Sequence, residues 1–181
     1  MRLATTLRYL YLSYFSKPAS QRSLYRLVRQ RRPRKVLEIG IGSIDRTLRM
    51  IDFAQRLVEG DPIRYAAIDL FEARDASAPK LSLKDCHRLL KTTQAQSQLI
   101  PGDPAGALAR VANSLPDVDL VLISSAHDDA SLAGAWFYLP RMLNAGSMVL
   151  REVFGAEANA FQVVDPAKIR QWAGANRRRA A

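Results

Sequence analysis

The sequence predicts an α/β fold built on a doubly wound, mostly parallel sheet, and three observations carry the prediction. Five strand segments are read at Lys35 to Ile39, Arg64 to Leu70, Gln96 to Ile100, Val118 to Ile123 and Ser147 to Val153, and they alternate with segments of helical periodicity. The first run, Lys35 to Ile39, is nearly continuous in apolar character, which suits a strand buried on both faces of a parallel sheet. The first run, Val36-Leu37-Glu38-Ile39, closes on Gly40-Ile41-Gly42 and passes directly into a helical pattern from Ile44. Strand, glycine turn and helix in that order form a nucleotide-binding crossover unit.

The elements follow in order. Met1 to Ser16 reads as a helix, with Leu3, Leu7, Leu10 and Tyr14 on one face and Pro18 as its stop. Arg2 and Arg8, with Tyr9, Tyr11 and Phe15 widening the apolar arc, leave two readings: a helix packed on the domain, or one lying on a membrane surface. A second helix spans Gln21 to Arg31 with Leu24, Leu27 and Val28 on one side, and Arg31-Arg32-Pro33-Arg34 breaks it. The first crossover helix runs from Ile44 to about Val58 and turns Ile44, Leu48, Ile51 and Leu57 inward; Glu59-Gly60-Asp61-Pro62 ends it. Phe71 to Leu81 reads as a loop. Ser82 and Asp85 have capping-box spacing and open a helix that sends Leu83, Cys86, Leu89 and Leu90 toward the sheet. Beyond the third strand lie a short helix, Ala105 to Ala112, and, after the fourth, one helix carrying Leu132, Trp136 and Leu139. Asn144-Ala145-Gly146 turns the chain into the fifth strand. Phe161 to Val164 is a further strand, and Ile169 to Ala173 a short helical turn.

Charge divides the chain into three. Residues 1–35 hold ten basic residues and no acid, residues 170–181 hold four arginines, and the body between them is net −4. This suggests a basic N-terminal helical extension (1–34), a nucleotide-binding domain (35–169) and a basic C-terminal tail (170–181). Such ends can attract an anionic membrane or nucleic acid, or can simply be solvated termini. No base-reading motif accompanies the charge. The single cysteine, Cys86, excludes an internal disulfide and a cysteine-based zinc site, which fits a cytoplasmic setting. No stretch approaches the roughly 20 apolar residues of a membrane span.

Parallel sheets bind ligands beyond the carboxyl ends of their strands, at the switch point beside the first strand. Glu38, Gly40, Gly42, Asp69, Leu70, Asp103 and the Ser124 to Asp129 loop all fall at that edge. Gly40 and Gly42 admit a ligand close to the backbone. Asp45 stands where a dinucleotide fingerprint has its third glycine, and its carboxylate would oppose a pyrophosphate. Glu38 favours a ligand with a cationic group, and Asp69 is placed to accept hydrogen bonds from ribose hydroxyls. A nucleoside with an amino-acid-like tail meets all three demands.

These motifs resemble those of the class I S-adenosylmethionine-dependent methyltransferases, over roughly Leu24 to Val153. The first motif is Glu38-Ile39-Gly40-Ile41-Gly42, with Ile44 at the place of its final glycine. The acid closing the second strand is Asp69, the third segment is Pro101-Gly102-Asp103, and the fourth strand and its loop run from Asp119 to His127. The pre-strand-five turn appears as Leu143-Asn144-Ala145-Gly146-Ser147. The resemblance implies a Rossmann-like methyltransferase fold with a shortened C-terminal end, S-adenosylmethionine as cofactor and a small-molecule methyl acceptor. It implies cofactor contacts from Glu38, Gly40, Gly42, Asp69, Leu70, Asp103 and Ser124. Metal-dependent relatives carry an acid where this chain has Ser124, so no metal site is expected. His127 is the candidate base, with Asp128 to orient it or the substrate. The plainer role for Asp128 or Asp129 is to cap the following helix. The alternative to catalysis is a non-catalytic methyltransferase-like domain that binds a partner through its basic N-terminal helix.

Overall fold

A computed structural model describes residues 3–17, 19–153 and 160–177, with side chains at 6–17, 19, 21–153 and 160–175. Met1, Arg2, Pro18 and the last four residues of the expected tail lie outside the described residues. At the centre is a sheet of six strands, β1 (Lys35–Ile39), β2 (Arg64–Asp69), β3 (Gln96–Pro101), β4 (Val118–Ile123), β5 (Leu143–Val153) and β6 (Ala160–Val163). Its order is β3-β2-β1-β4-β5-β6, parallel except for the antiparallel β5–β6 pair. This is the doubly wound sheet that the alternating pattern predicts. The order reverses between β1 and β4, so the switch-point crevice opens beyond their carboxyl ends.

Alternate strand residues serve opposite layers. Val36, Tyr65, Ala67, Leu120 and Leu122 join one core, with helices α2 (Arg22–Arg31), α3 (Ile44–Leu57) and α4 (Leu83–Leu90). Leu37, Ile39, Ala66, Ile68, Val121 and Ile123 join the other, with α5 (Pro104–Val111), α6 (Asp129–Leu132), α7 (Ala135–Tyr138) and α8 (Pro166–Arg177). Glu38 lies between Leu37 and Ile39 in sequence and therefore faces the α3 side. It is fully buried there.

The N-terminal segment forms α1 (Leu3–Leu10), which continues as a π-turn over Tyr11–Phe15. With α2 it makes an extra layer outside α3. Phe53 of α3 stacks on Tyr9 at 6.2 Å between centroids and meets Tyr25 edge-on at 6.4 Å. Arg8 pairs with Asp52 at 2.6 Å. This cover changes the buried face of α3. Ile51 and Leu57 are buried as expected, Ile44 and Leu48 only partly, while Met50, Phe53 and Ala54 are also enclosed because the helix has neighbours on two sides.

Three further departures have local causes. β5 begins at Leu143, because Asn144 to Ser147 forms a bulge inside the strand instead of a turn before it. Asn144 N donates to Ser147 Oγ at 2.7 Å, and that hydroxyl donates to Val118 O at 2.6 Å. The helix expected around Leu132 to Leu139 is broken into α6, α7 and a 3-10 turn, although all three apolar anchors are buried. α8 is longer than the expected turn and crosses residue 170, with Trp172 packed on Trp136. A single strand follows β5 among the described residues. No described helix is long and apolar enough to cross a membrane.

Candidate active site

The glycine turn after β1 is held from three sides. Gly40 has φ +77°, a conformation that favours glycine, and its N–H donates to Ile68 O at 2.8 Å. A Cβ at Gly40 would fall 2.7 Å from His127 Nε2 and 2.9 Å from Ser124 Cβ, so the loop after β4 lies directly against the turn. The next amide, Ile41 N, donates to Asp69 Oδ2 at 2.7 Å. Residues distant in sequence, Gly40, Asp69, Ser124 and His127, are thus gathered at the switch point.

Asp69 is buried and fully engaged. Besides Ile41 N it accepts from Phe71 N at 2.8 Å and, on both oxygens, from Arg74, whose Nε lies 2.7 Å from Oδ1. Arg74 also donates to Ile41 O at 2.7 Å, closing a ring between the β1 turn and the segment after β2. Burial alone would raise the Asp69 pKa. The Arg74 hydrogen bonds and the Phe71 and Ile41 amides outweigh it and hold the carboxyl below its ordinary value.

Glu38 is engaged just as completely. It accepts from Arg46 Nη2 at 2.6 Å, Thr47 Oγ1 at 2.8 Å and Tyr65 Oη at 2.7 Å. Burial, reinforced by Glu38, raises the Tyr65 pKa, so its phenol stays a donor. Arg46 also reaches Glu152 Oε1, at the end of β5, at 3.3 Å, and its guanidinium lies over the Phe161 ring at 5.2 Å. Burial opposes the charge on Arg46, but Glu38 and Glu152 overcome it and keep the group protonated. Its Nε is buried without a hydrogen-bond partner. This network counts two acids against one base, and Glu152, with 13% of its side chain exposed, is the acid nearest to solvent.

The remaining predicted residues spread along the same edge. Ser124 is buried, with its N–H bonded to Ile39 O at 2.9 Å. Gly42 is exposed, and a Cβ there would meet only ordinary contacts at 3.4 Å from Arg46 and Ser124 Oγ. Leu70 is 38% exposed beside Asp69. Asp103 caps α5 through Gly106 N at 2.9 Å. Asp128 is exposed and caps α6 through Ser131 N at 2.8 Å; that hydrogen bond lowers its pKa. Burial lowers the His127 pKa, ahead of the raising influence of Asp69 and Asp128. Arg151 steadies the loop by donating to His127 O at 3.2 Å and pairing with Asp129. No group of three or more metal-ligating side chains occurs among the described residues.

No protein-family model matches the chain, and no curated protein matches it. Solved structures do. The O-methyltransferase from Bacillus cereus, solved in complex with SAH (S-adenosylhomocysteine), aligns at a TM-score of 0.54 and 15% identity over 84% of this chain and 67% of its own. The SAH-bound methyltransferase PaMTH1 of Podospora anserina aligns at 0.52 and 15% identity, over 98% of this chain and 75% of its own. The chain has the class I methyltransferase fold. MycE, a methyltransferase of mycinamycin biosynthesis solved with Mg, SAH and mycinamycin VI, aligns at 0.51 and 19% identity over 82% of this chain, which spans only 38% of MycE.

At the switch point of that fold, Gly42 is exposed and Gly40 is backed by a partly buried histidine. The two acids differ from the simple expectation, because Asp69 is paired with Arg74 and Glu38 with Arg46. Sequence reasoning missed Arg46, Tyr65, Arg74 and Glu152. Glu152 alone had a usable signal, an acid at the carboxyl end of a strand on the ligand edge.

Proposed function

We propose that the protein is an S-adenosylmethionine-dependent methyltransferase acting on a small-molecule acceptor. The observation that carries this reading is the Gly40 turn at the switch point, hung from Asp69 by the Ile41 amide and covered by His127. In this reading the cofactor lies along Gly40 and Gly42, with Asp69 and Leu70 at its ribose, Asp103 toward its base and Ser124 beside its tail. Glu152 takes over from Glu38 as the acid for the tail's ammonium, since Glu38 is spent on Arg46, Thr47 and Tyr65. The cofactor supplies an electrophilic methyl group. The chain supplies position above all, because orientation alone can supply much of the rate of an aligned nucleophile.

His127 is the base for an acceptor that carries a proton. Its lowered pKa keeps a nitrogen lone pair free near neutrality, and Arg151 fixes its backbone. Asp128 acts on this histidine through its charge and through the cap that anchors the loop. Arg74 must leave at least part of Asp69 before ribose hydroxyls can be accepted there.

That same filling of Asp69 and Glu38 from within the chain favours a second reading, a non-catalytic methyltransferase-like binding module. Calorimetric titration of S-adenosylmethionine and S-adenosylhomocysteine separates the two. Binding of either ligand that is lost in Asp69→Ala supports the enzyme. No heat from the folded wild-type protein leaves the binding module.

A further inference from the structure

Seven large apolar side chains are exposed among the described residues, and five of them lie on one short segment. Leu7 is 60% exposed, Leu10 42%, Tyr11 59%, Tyr14 51% and Phe15 69%. Their spacing of three, four, seven and eight residues from Leu7 makes one continuous helical stripe. The helix cannot simply roll this stripe inward, because its other side is already docked. Leu12, Ser13 and Ser16 are buried, Tyr9 stacks on Phe53 and Arg8 pairs with Asp52.

Basic side chains border the stripe. Arg26 is exposed, with its guanidinium 5.9 Å from the Tyr14 ring centroid, and Lys17 is exposed at the end of the π-turn. Residues 1–35 contain no acid. We propose that this stripe is a docking surface for an anionic lipid bilayer, on which α1 and its π-turn lie flat. Leucine and phenylalanine side chains enter the acyl boundary, while tyrosine and arginine stay at the headgroups. The thirteen residues of α1 and the π-turn extend only about 20 Å, too short to span a bilayer.

Charge decides among the occupants. A second copy docking through the same stripe would set Lys17 and Arg26 against their own copies, with no acid in residues 1–35 to pair them. Nucleic acid would satisfy the charge and leave Leu7, Leu10 and Phe15 in water. An anionic bilayer satisfies both. The stripe shares no residue with the cofactor site, so this proposal stands apart from methyl transfer.

The test is sedimentation of the full chain with sucrose-loaded vesicles, of phosphatidylcholine alone or mixed with phosphatidylserine. The expected result is binding to the mixed vesicles that weakens about tenfold without phosphatidylserine or at high salt. Leu7→Ser with Phe15→Ser changes two mostly exposed side chains and should weaken binding about tenfold with an unchanged far-UV circular dichroism spectrum. Arg26→Gln should weaken it roughly fivefold. Three results would overturn the proposal: no binding to mixed vesicles, equal binding by the double serine variant, or vesicle-free self-association that the double variant abolishes. Stripe-dependent retention of duplex DNA or RNA without vesicle binding would overturn it as well.

Discussion

Arg74 holds both carboxyl oxygens of Asp69, so under the proposed function ribose hydroxyls would reach that acid only as the guanidinium gives way. Arg74→Ala should therefore tighten S-adenosylhomocysteine binding about tenfold by calorimetry, the equivalent of one charge-assisted hydrogen bond no longer broken on binding. Weaker binding in that variant would make Arg74 a ligand contact instead of a competitor. At Gly40, an alanine side chain meets a strained φ and the His127 ring together. Gly40→Ala should cost both stability, read by urea denaturation, and cofactor affinity. His127 gives a pH signature. Its folded pKa lies below the ordinary 6.5, so as pH falls below that value the unfolded chain takes up the proton first. Stability is complete above 6.5 and declines until pH passes the folded pKa. The methyl-transfer rate should decline across the lower part of the same range, and His127→Gln should flatten that limb of the profile. A rate limb unchanged in the variant would remove His127 as the base.

Among the elements, the join between β1, β2, α3 and β5 rests on one buried network. Arg46→Leu leaves Glu38 buried without its cation and should cost about 3–5 kcal/mol in urea denaturation. Glu38→Gln with Arg46→Met should recover much of that loss, since the fully buried acid is neutralised and only Glu152, nearer to solvent, loses its cation. Failure of the pair to recover would place the cost in packing against Phe161 instead. The elements themselves were largely legible from local sequence. β1, with its apolar run, and the Ser82 cap, with Asp85 three residues on, lie where the pattern puts them. The bulge in β5 was not legible, because it depends on Val118 O accepting from Ser147 across the sheet. The glycine turn, Asp69 and His127 were legible as site candidates from their places at strand ends. Their partners were not, because Arg46 and Arg74 look like ordinary surface arginines until the fold brings acids to them.

For the whole molecule, the outer layer of α1 and α2 is part of the core and not an appendage. Leu12, Leu24, Tyr25 and Val28 belong to the same apolar cluster as Val36 and Leu120 of the sheet. Leu12→Ala should accordingly destabilise the whole domain by about 2–5 kcal/mol in one cooperative transition. A separate early transition would show the layer to be an independent unit. Both docked and membrane-facing readings of the first helix were open in the sequence, since tyrosines and leucines are spread around it. Only the tertiary contacts show which arc is covered.

At the opposite face, the only two tryptophans of the chain, Trp136 of α7 and Trp172 of α8, stand 4.6 Å apart between centroids. Intrinsic fluorescence is therefore a built-in optical gauge of a single junction, the seating of the C-terminal helix. A fluorescence melt that precedes the circular dichroism melt would report that helix peeling away first, while coincident melts would report one cooperative body.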